Sequence, residues 1–128
     1  MNELAPTGQA NPTSEQLQSI HRLYEQGLYI QAYELSKEIG PLDTWRGADA
    51  RIMAGRLAGN LGGIRLGDWH FLKAWRQNPS SAEAHWFYAR TLLALRGPWA
   101  AWQFVQKHPL PANASPKSQS HWLSLIHI

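Results

Sequence analysis

The sequence predicts an all-α fold, in which three helix-turn-helix units repeat along the chain and stack into a solenoid. About six helices are expected, followed by the start of a seventh. Small residues recur at nearly equal intervals: Ala32, Gly67 and Ala101. A glycine stands five, five and four residues before them: Gly27, Gly62 and Gly97. Apolar residues at helical spacing lie on both sides of each glycine, so each glycine is expected to separate two helices.

The first unit has clear start and stop signals. Thr13 is followed three residues later by Gln16, which is a capping-box arrangement, so the first helix is expected from there to about Gln26. The second helix is predicted from Tyr29 to about Ile39. Gly40 and Pro41 then stop it, because proline cannot continue a helix.

In the second unit, Asp43 or Thr44 is expected to cap a third helix that runs to about Leu61. One face of this helix is lined by small residues: Ala48, Ala50, Ala54, Gly55, Ala58 and Gly59. Each glycine costs about 1 kcal/mol of helix propensity relative to alanine, so their number indicates close packing against another helix. That neighbour is the fourth helix, predicted from Ile64 to Gln77.

The third unit begins at Ser80 or Ser81, either of which can cap a fifth helix that ends near Arg96. Pro98 suits the first turn of the sixth helix, where its missing N–H matters least. This helix is expected to end at about Lys107.

These units resemble the tetratricopeptide repeat, a helix-turn-helix unit of about 34 residues. The second unit matches that family's pattern best, through Ala54-Gly55, Ala58, Gly67, Phe71 and Pro79. The third unit is similar but its closing proline, Pro109, comes about four residues early, and Ser19-Ile20 replaces the Leu-Gly pair in the first. The resemblance covers about residues 14–108. It implies a right-handed α-solenoid that binds a peptide or partner protein on its concave face.

The predicted organisation has four parts. Residues 1–12 have few apolar side chains and are expected to be a disordered leader. Residues 13–108 form the helical repeat domain, and residues 109–122 form a loop and the start of a truncated further repeat. Residues 123–128, LSLIHI, match the in-frame translation of a transposon-end adapter from sequencing libraries, so they are expected to be an artefact at the end of a truncated metagenomic reading frame.

Composition narrows the class of protein. The 128 residues are 44% hydrophobic and 16% charged, with a net charge of +3, which is typical of one soluble globular domain. No cysteine is present, which excludes disulfides, thiolate metal sites and a cysteine nucleophile within these residues. Without a secretory signal or an apolar run long enough to span a membrane, a cytoplasmic location is expected.

No pattern of catalytic residues is found, so we expect neither enzymatic activity nor a cofactor. The glycine-rich stretch at residues 60–67 lacks the lysine of a phosphate-binding loop and is better explained as a helix-helix turn. The histidines lie at scattered positions: His21, His70, His85, His108, His121 and His127. They are expected to be surface or half-buried side chains, and no metal site is predicted. The seven tryptophans are expected mainly in the core, with interface anchors as the alternative and Trp86 as the best candidate.

The repeat family lines its concave side with the first helix of each pair, and the repeat period picks out one row of residues there. His21, Arg56 and Arg90 follow one another at that period, about 34 residues, and we call them the basic ladder. The residues expected to flank it are Tyr24, Ile52, Asn60, Trp86 and Leu93. The ladder could hold the carboxylates of a peptide, because arginine binds them bidentately. Alternatively, Arg56 and Arg90 are solvated charges with Asp49 and Glu83 as acidic neighbours.

The sequence therefore predicts a protein-interaction or scaffold module. One alternative is the non-catalytic N-terminal scaffold of a larger enzyme, and a nucleic-acid-binding helical repeat is a less favoured one. The expected partner is a protein or peptide of acidic character, and no membrane partner is expected. Self-association through the tryptophan-rich C-terminal face is also expected, since a terminal repeat normally needs a polar outer face.

Overall fold

The computed structural model describes residues 9–109, and within that range the chain is helical without a β-strand. It contains α1 (Ser14–Glu25), α2 (Tyr29–Ser36), a 3-10 helix (Leu42–Thr44), α3 (Ala48–Asn60), α4 (Ile64–Gln77), α5 (Ala82–Arg96) and α6 (Pro98–Lys107). The prediction of an all-α fold is confirmed for these residues. The solenoid arrangement stays a prediction, and the seventh helix and residues 123–128 lie outside the described range.

Several helices begin where local sequence signals placed them. The Thr13 hydroxyl accepts a hydrogen bond from the Gln16 backbone N–H at 3.1 Å, and the Thr13 N–H donates to Gln16 Oε1 at 2.8 Å. This reciprocal pair is the predicted capping box. Ser81, the second of the two serines considered, caps α5 by accepting a hydrogen bond from the Ala84 N–H at 3.1 Å. Pro98 is the first residue of α6, as predicted.

The connection between α2 and α3 differs from the prediction. Helix α2 ends at Ser36 instead of near Ile39, because the N–H groups of Glu38 and Ile39 bond to carbonyls three residues back and tighten the chain into turns. Neither Asp43 nor Thr44 caps α3: both lie in the 3-10 helix, where the Thr44 hydroxyl donates to the Pro41 carbonyl at 2.6 Å. The N-cap of α3 is Gly47, whose φ of 96° is in the left-handed region that favours glycine.

The chain divides into two compact units, Met1–His70 and Phe71–Ile128, and the boundary falls within α4. The core of the first unit is built around Trp45, which is fully buried and donates its indole N–H to the Gly40 carbonyl at 3.0 Å. Small and aliphatic side chains complete this core: Ile20, Ala32, Leu42, Ala50, Met53, Ala54, Leu57 and Ala58.

Part of the predicted leader contacts this unit. Of residues 1–12, the structure describes residues 9–12. The Ala10 N–H donates to the Thr44 carbonyl at 2.8 Å, and the Arg46 N–H donates to the Ala10 carbonyl at 2.9 Å. Ala10 also packs against the core. These two hydrogen bonds hold Ala10 beside the segment that precedes α3.

Helices α3 and α4 approach closely through glycine, as the small-residue face of α3 predicted. A Cβ atom added to Gly67 would lie 2.9 Å from the Gly55 carbonyl oxygen and 3.5 Å from the Gly59 nitrogen. Real Cβ atoms almost never come as close to another atom as the first of these distances. The absent side chain of Gly67 therefore allows the two helix backbones to touch.

The second unit has an aromatic core formed by the end of α4 with α5 and α6. The Trp75 ring stacks on Tyr88 with centroids 5.1 Å apart and meets Phe104 edge-on at 5.2 Å. Phe71 and Phe87 form a second stacked pair at 4.7 Å. Such ring pairs add about 0.5–1.5 kcal/mol each beyond the area they bury.

Candidate functional site

Four of the six predicted binding residues lie together on α1 and α3 of the first unit. The guanidinium carbon of Arg56 lies 4.3 Å from the centroid of the Tyr24 ring. The Asn60 side-chain amide donates to the Tyr24 hydroxyl and, at 3.1 Å, to the Arg56 carbonyl oxygen. Residues four positions apart share a helix face, which is why Asn60 reaches the same tyrosine as Arg56. Tyr24 thus contacts both residues on α3, and His21 lies one turn before it on α1.

Glu25 joins this group and was not predicted from the sequence. Its Oε2 atom lies 3.4 Å from Arg56 Nη2 and 3.8 Å from His21 Nε2. The Arg56 side chain is only 18% exposed, whereas those of His21 and Glu25 are about half exposed. The spacing of four residues between His21 and Glu25 was the one available signal, because it places both on one face of α1. We call His21, Tyr24, Glu25, Arg56 and Asn60 the Tyr24 cluster.

The other two predicted residues, Trp86 and Arg90, lie one turn apart on α5 of the second unit. The Arg90 guanidinium carbon is 4.9 Å from the ring centroids of both Trp86 and Phe87, and 5.9 Å from that of Phe71. Arg90 is exposed and Trp86 is half-buried. When a guanidinium stacks on an aromatic ring, the ring covers only its face. The N–H groups point outward from its edge, and this is the direction in which they donate to a carboxylate.

The Tyr24 cluster belongs to the first unit, and Trp86 and Arg90, which we call the Arg90 group, belong to the second. Each unit therefore has one arginine of the basic ladder in contact with aromatic rings. Continuity of the ladder from His21 through Arg56 to Arg90 stays a prediction.

Two histidines are more deeply buried than the sequence indicated. His70 and His85 are 0% and 1% exposed, so the expectation of surface or half-buried side chains was wrong for both. Backbone carbonyls explain their burial: the His70 Nε2–H donates to the Leu42 carbonyl at 2.8 Å, and the His85 Nε2–H donates to the His108 carbonyl. Each carbonyl is remote in sequence, and the hydrogen bond satisfies one polar atom of the buried ring.

Burial lowers the pKa of His70 to about 4, and the nearby cation of Arg51 acts in the same direction. With Nε2 bonded to a carbonyl, Nδ1 is the acceptor in the neutral ring, and Arg51 Nη1 lies 3.4 Å from it. Arg51 is itself buried, and its guanidinium lies 4.8 Å from the Trp69 ring centroid. Burial also lowers the pKa of Arg51 and that of His85. His70 and Arg51 therefore form a polar part of the core, in which the His70 ring is neutral.

The tryptophans divide between core and surface more evenly than expected. Trp45 is fully buried, and Trp75 and Trp86 are half-buried. Trp69, Trp99 and Trp102 are exposed, and Trp122 lies outside the described residues. Which tryptophans anchor an interface stays a prediction.

Within residues 9–109, no three His, Asp or Glu side chains converge closely enough to hold a metal ion. None of the helices in that range has both the length and the apolar character required to cross a bilayer. In three comparisons with known proteins, no protein-family model, no curated protein and no solved structure matches the chain. The resemblance to the tetratricopeptide repeat accordingly rests on the residues quoted above and stays a prediction.

Proposed function

We propose that the chain is a protein-interaction module of the tetratricopeptide-repeat type, which binds a peptide segment of a partner protein through residues of α1, α3 and α5. The observation that supports this most directly is that both arginines of the basic ladder lie against aromatic rings. Arg56 lies over Tyr24, which belongs to a different helix, α1, and Arg90 lies over Trp86, which belongs to its own helix. The arginines are one predicted repeat period apart, although their aromatic partners are not.

The chemistry of these residues favours an acidic peptide. An arginine fork can donate two parallel hydrogen bonds to one carboxylate, and a charge-assisted hydrogen bond contributes about 1.5–3 kcal/mol. The rings of Tyr24 and Trp86 offer apolar surface beside each arginine, which suits a peptide that alternates acidic and apolar side chains. Tyrosine, tryptophan and arginine are also the residues most enriched among interface hot spots.

The two arginines are expected to differ in their contributions. Arg56 is mostly buried, whereas Arg90 is exposed, so a ligand can reach Arg90 more easily from solvent. We therefore expect Arg90 to contribute more to peptide affinity than Arg56.

Binding of fluorescent acidic peptides, measured by anisotropy, tests this function. The double variant Arg56→Ala with Arg90→Ala should weaken binding at least ten-fold, since each arginine provides charge-assisted hydrogen bonds. The matched control is Arg22→Ala with Arg76→Ala, which removes the same charge from exposed positions outside both groups. Equal affinity in the two double variants would show that net charge, and not these two arginines, determines binding.

Two other observations separate the alternatives that the sequence left open. A nucleic-acid-binding repeat would bind single-stranded oligonucleotides with a steep dependence on salt and without sequence preference. A scaffold of a larger enzyme would keep peptide binding, and a longer reading frame that includes this chain would also encode a catalytic domain.

A further inference from the structure

Exposed large apolar side chains concentrate at the turns that join paired helices. In the part of the chain from residue 9 to 109, eight such side chains are exposed: Tyr29, Ile30, Leu61, Ile64, Trp69, Leu95, Trp99 and Trp102. All except Trp69 and Trp102 lie within three residues of a turn glycine: Gly27, Gly62 or Gly97. Single exposed apolar residues are normal on a protein surface, but their concentration at one kind of position requires an explanation.

The positions also follow the repeat. Ile30, Ile64 and Trp99 recur at nearly equal intervals, and each lies in the first turn of the second helix of its pair. Their exposed fractions are 64%, 63% and 67%. The same register therefore presents a large apolar side chain to solvent in all three helical pairs.

The turn between α5 and α6 has the largest such surface. Leu95 is 64% exposed in the last turn of α5, and Trp102 follows Trp99 one turn along α6. The two indole rings stack with centroids 5.3 Å apart and planes 13° apart. Arg96, also exposed, lies between Leu95 and the one-residue turn at Gly97. We call Leu95, Arg96, Trp99 and Trp102 the Trp99 surface.

The charge of the second unit indicates what this surface meets. Between residues 71 and 109 there are five basic residues, Lys73, Arg76, Arg90, Arg96 and Lys107, and one acidic residue, Glu83. The first unit, from residue 9 to 70, has six basic and seven acidic residues. A two-fold contact with a second copy would place two cationic units together. An anionic partner would instead be attracted.

We propose that the Trp99 surface attaches the protein peripherally to an anionic phospholipid membrane. Tryptophan rings position themselves at the boundary between headgroups and acyl chains, and exposed leucine beside them adds apolar area that can be buried there. Arg96 then lies at the level of the lipid phosphates, and the remaining cations of the unit are attracted to the negative surface. This departs from the sequence-based expectation that no membrane is involved, since peripheral attachment requires no spanning helix.

Lipid is favoured over nucleic acid by two features of this surface. The two tryptophans already stack on each other, so one face of each ring is occupied and cannot accept a base. Leu95 contributes aliphatic area, which does not stack on bases. Binding of an acidic peptide at the same place is a different outcome, and the experiment distinguishes it.

Co-sedimentation of the full chain with lipid vesicles tests the proposal. The protein should sediment with phosphatidylcholine vesicles that contain phosphatidylserine, much less with phosphatidylcholine alone, and added salt should release it. Its tryptophan emission should shift to shorter wavelength on binding. Absence of sedimentation with the anionic vesicles, or equal sedimentation with both kinds, would overturn the proposal.

Substitutions on the Trp99 surface test which side chains contact the vesicle. Leu95→Ser with Trp99→Ser should lower vesicle affinity at least ten-fold without changing the thermal melt, because both side chains are exposed. Arg96→Ala should lower it about five-fold. Ile30→Ser is the matched control, since Ile30 is equally exposed at the corresponding turn of the first unit, and it should bind like the wild type. A double variant that binds like the wild type would refute the assignment.

Three further outcomes show what binds the Trp99 surface and whether vesicle binding is separate from peptide binding. If the wild type forms a dimer in the ultracentrifuge that the Leu95→Ser/Trp99→Ser variant does not, without binding vesicles, the surface is a self-association site and the lipid proposal fails. It also fails if that variant loses acidic-peptide affinity while the wild type ignores vesicles. Arg56→Ala should weaken peptide binding and leave vesicle binding intact, so either function can fail alone.

Discussion

The close contact between α3 and α4 can be tested with one added methyl group at two different glycines. Gly59 in α3 and Gly67 in α4 are both helical, so replacing either with alanine gains about 1 kcal/mol of helix propensity. Around Gly59 no atom from outside α3 lies within 4 Å of an added Cβ. At Gly67 that Cβ would be 2.9 Å from the Gly55 carbonyl oxygen. The same chemical change therefore meets open space in one helix and backbone in the other.

The expected magnitude follows from this distance. Ordinary contact begins at 3.4 Å, so the Gly55 oxygen and the new methyl, at 2.9 Å, must move apart by several tenths of an ångström. The oxygen belongs to the backbone of α3, and it can move away only if the helices separate. Overpacking of this kind costs about 1–3 kcal/mol. After the propensity gain, Gly67→Ala should be neutral to about 2 kcal/mol less stable than the wild type, whereas Gly59→Ala should be up to about 1 kcal/mol more stable.

Urea unfolding followed by circular dichroism measures both variants, with similar slopes required for a direct comparison of free energies. The decisive quantity is the difference between the two variants, expected at about 1–3 kcal/mol in favour of Gly59→Ala. Equal stability would mean that α3 and α4 do not approach through Gly67. That result would refute the packing inferred from the small residues of α3.

Two further predictions concern pH and helix capping. Unfolded His70 titrates near pKa 6.5, whereas the pKa of the buried ring is about 4, so between these values the unfolded chain binds more protons and stability falls as the pH is lowered. The contribution of the neutral ring is fully present above about pH 6.5, and about 3 kcal/mol is lost by about pH 4. Urea unfolding at about pH 7 and about pH 4.5 should show a smaller loss for His70→Gln than for the wild type, and an equal loss would contradict the assignment. Separately, Thr13→Ala should cost about 1 kcal/mol by removing the capping box of α1, while Thr13→Ser should retain most of it; thermal melts in which Ala and Ser behave alike would count against that role.

The starts of α1, α5 and α6 could be read from the sequence because the deciding interactions lie within four residues of one another. Thr13 bonds to Gln16, Ser81 bonds to Ala84, and Pro98 restricts its own backbone. The start of α3 could not be read in this way. Thr44 was a plausible cap, but its hydroxyl bonds to Pro41, and its carbonyl bonds to Ala10, which precedes α1 in the chain.

In the candidate site, too, some residues could be predicted from the sequence and others depended on contacts between distant parts of the chain. The predicted repeat spacing selected Arg56 and Arg90, and Tyr24 and Trp86 were predicted to flank them; each arginine does contact one of these rings. Glu25 was missed, since its contact with Arg56 joins two helices through residues that are 31 positions apart in the chain.

By itself, the sequence determined the helical class of the described residues and most helix boundaries, which depend on local hydrogen bonds and on the spacing of apolar side chains. Only the tertiary structure decided that His70 is buried and neutral, because its partners Leu42 and Arg51 lie 28 and 19 positions away. It also decided that Ile30, Ile64 and Trp99 face solvent. An apolar side chain in the first turn of a helix can be buried or exposed, and the choice depends on which neighbours the fold places against it.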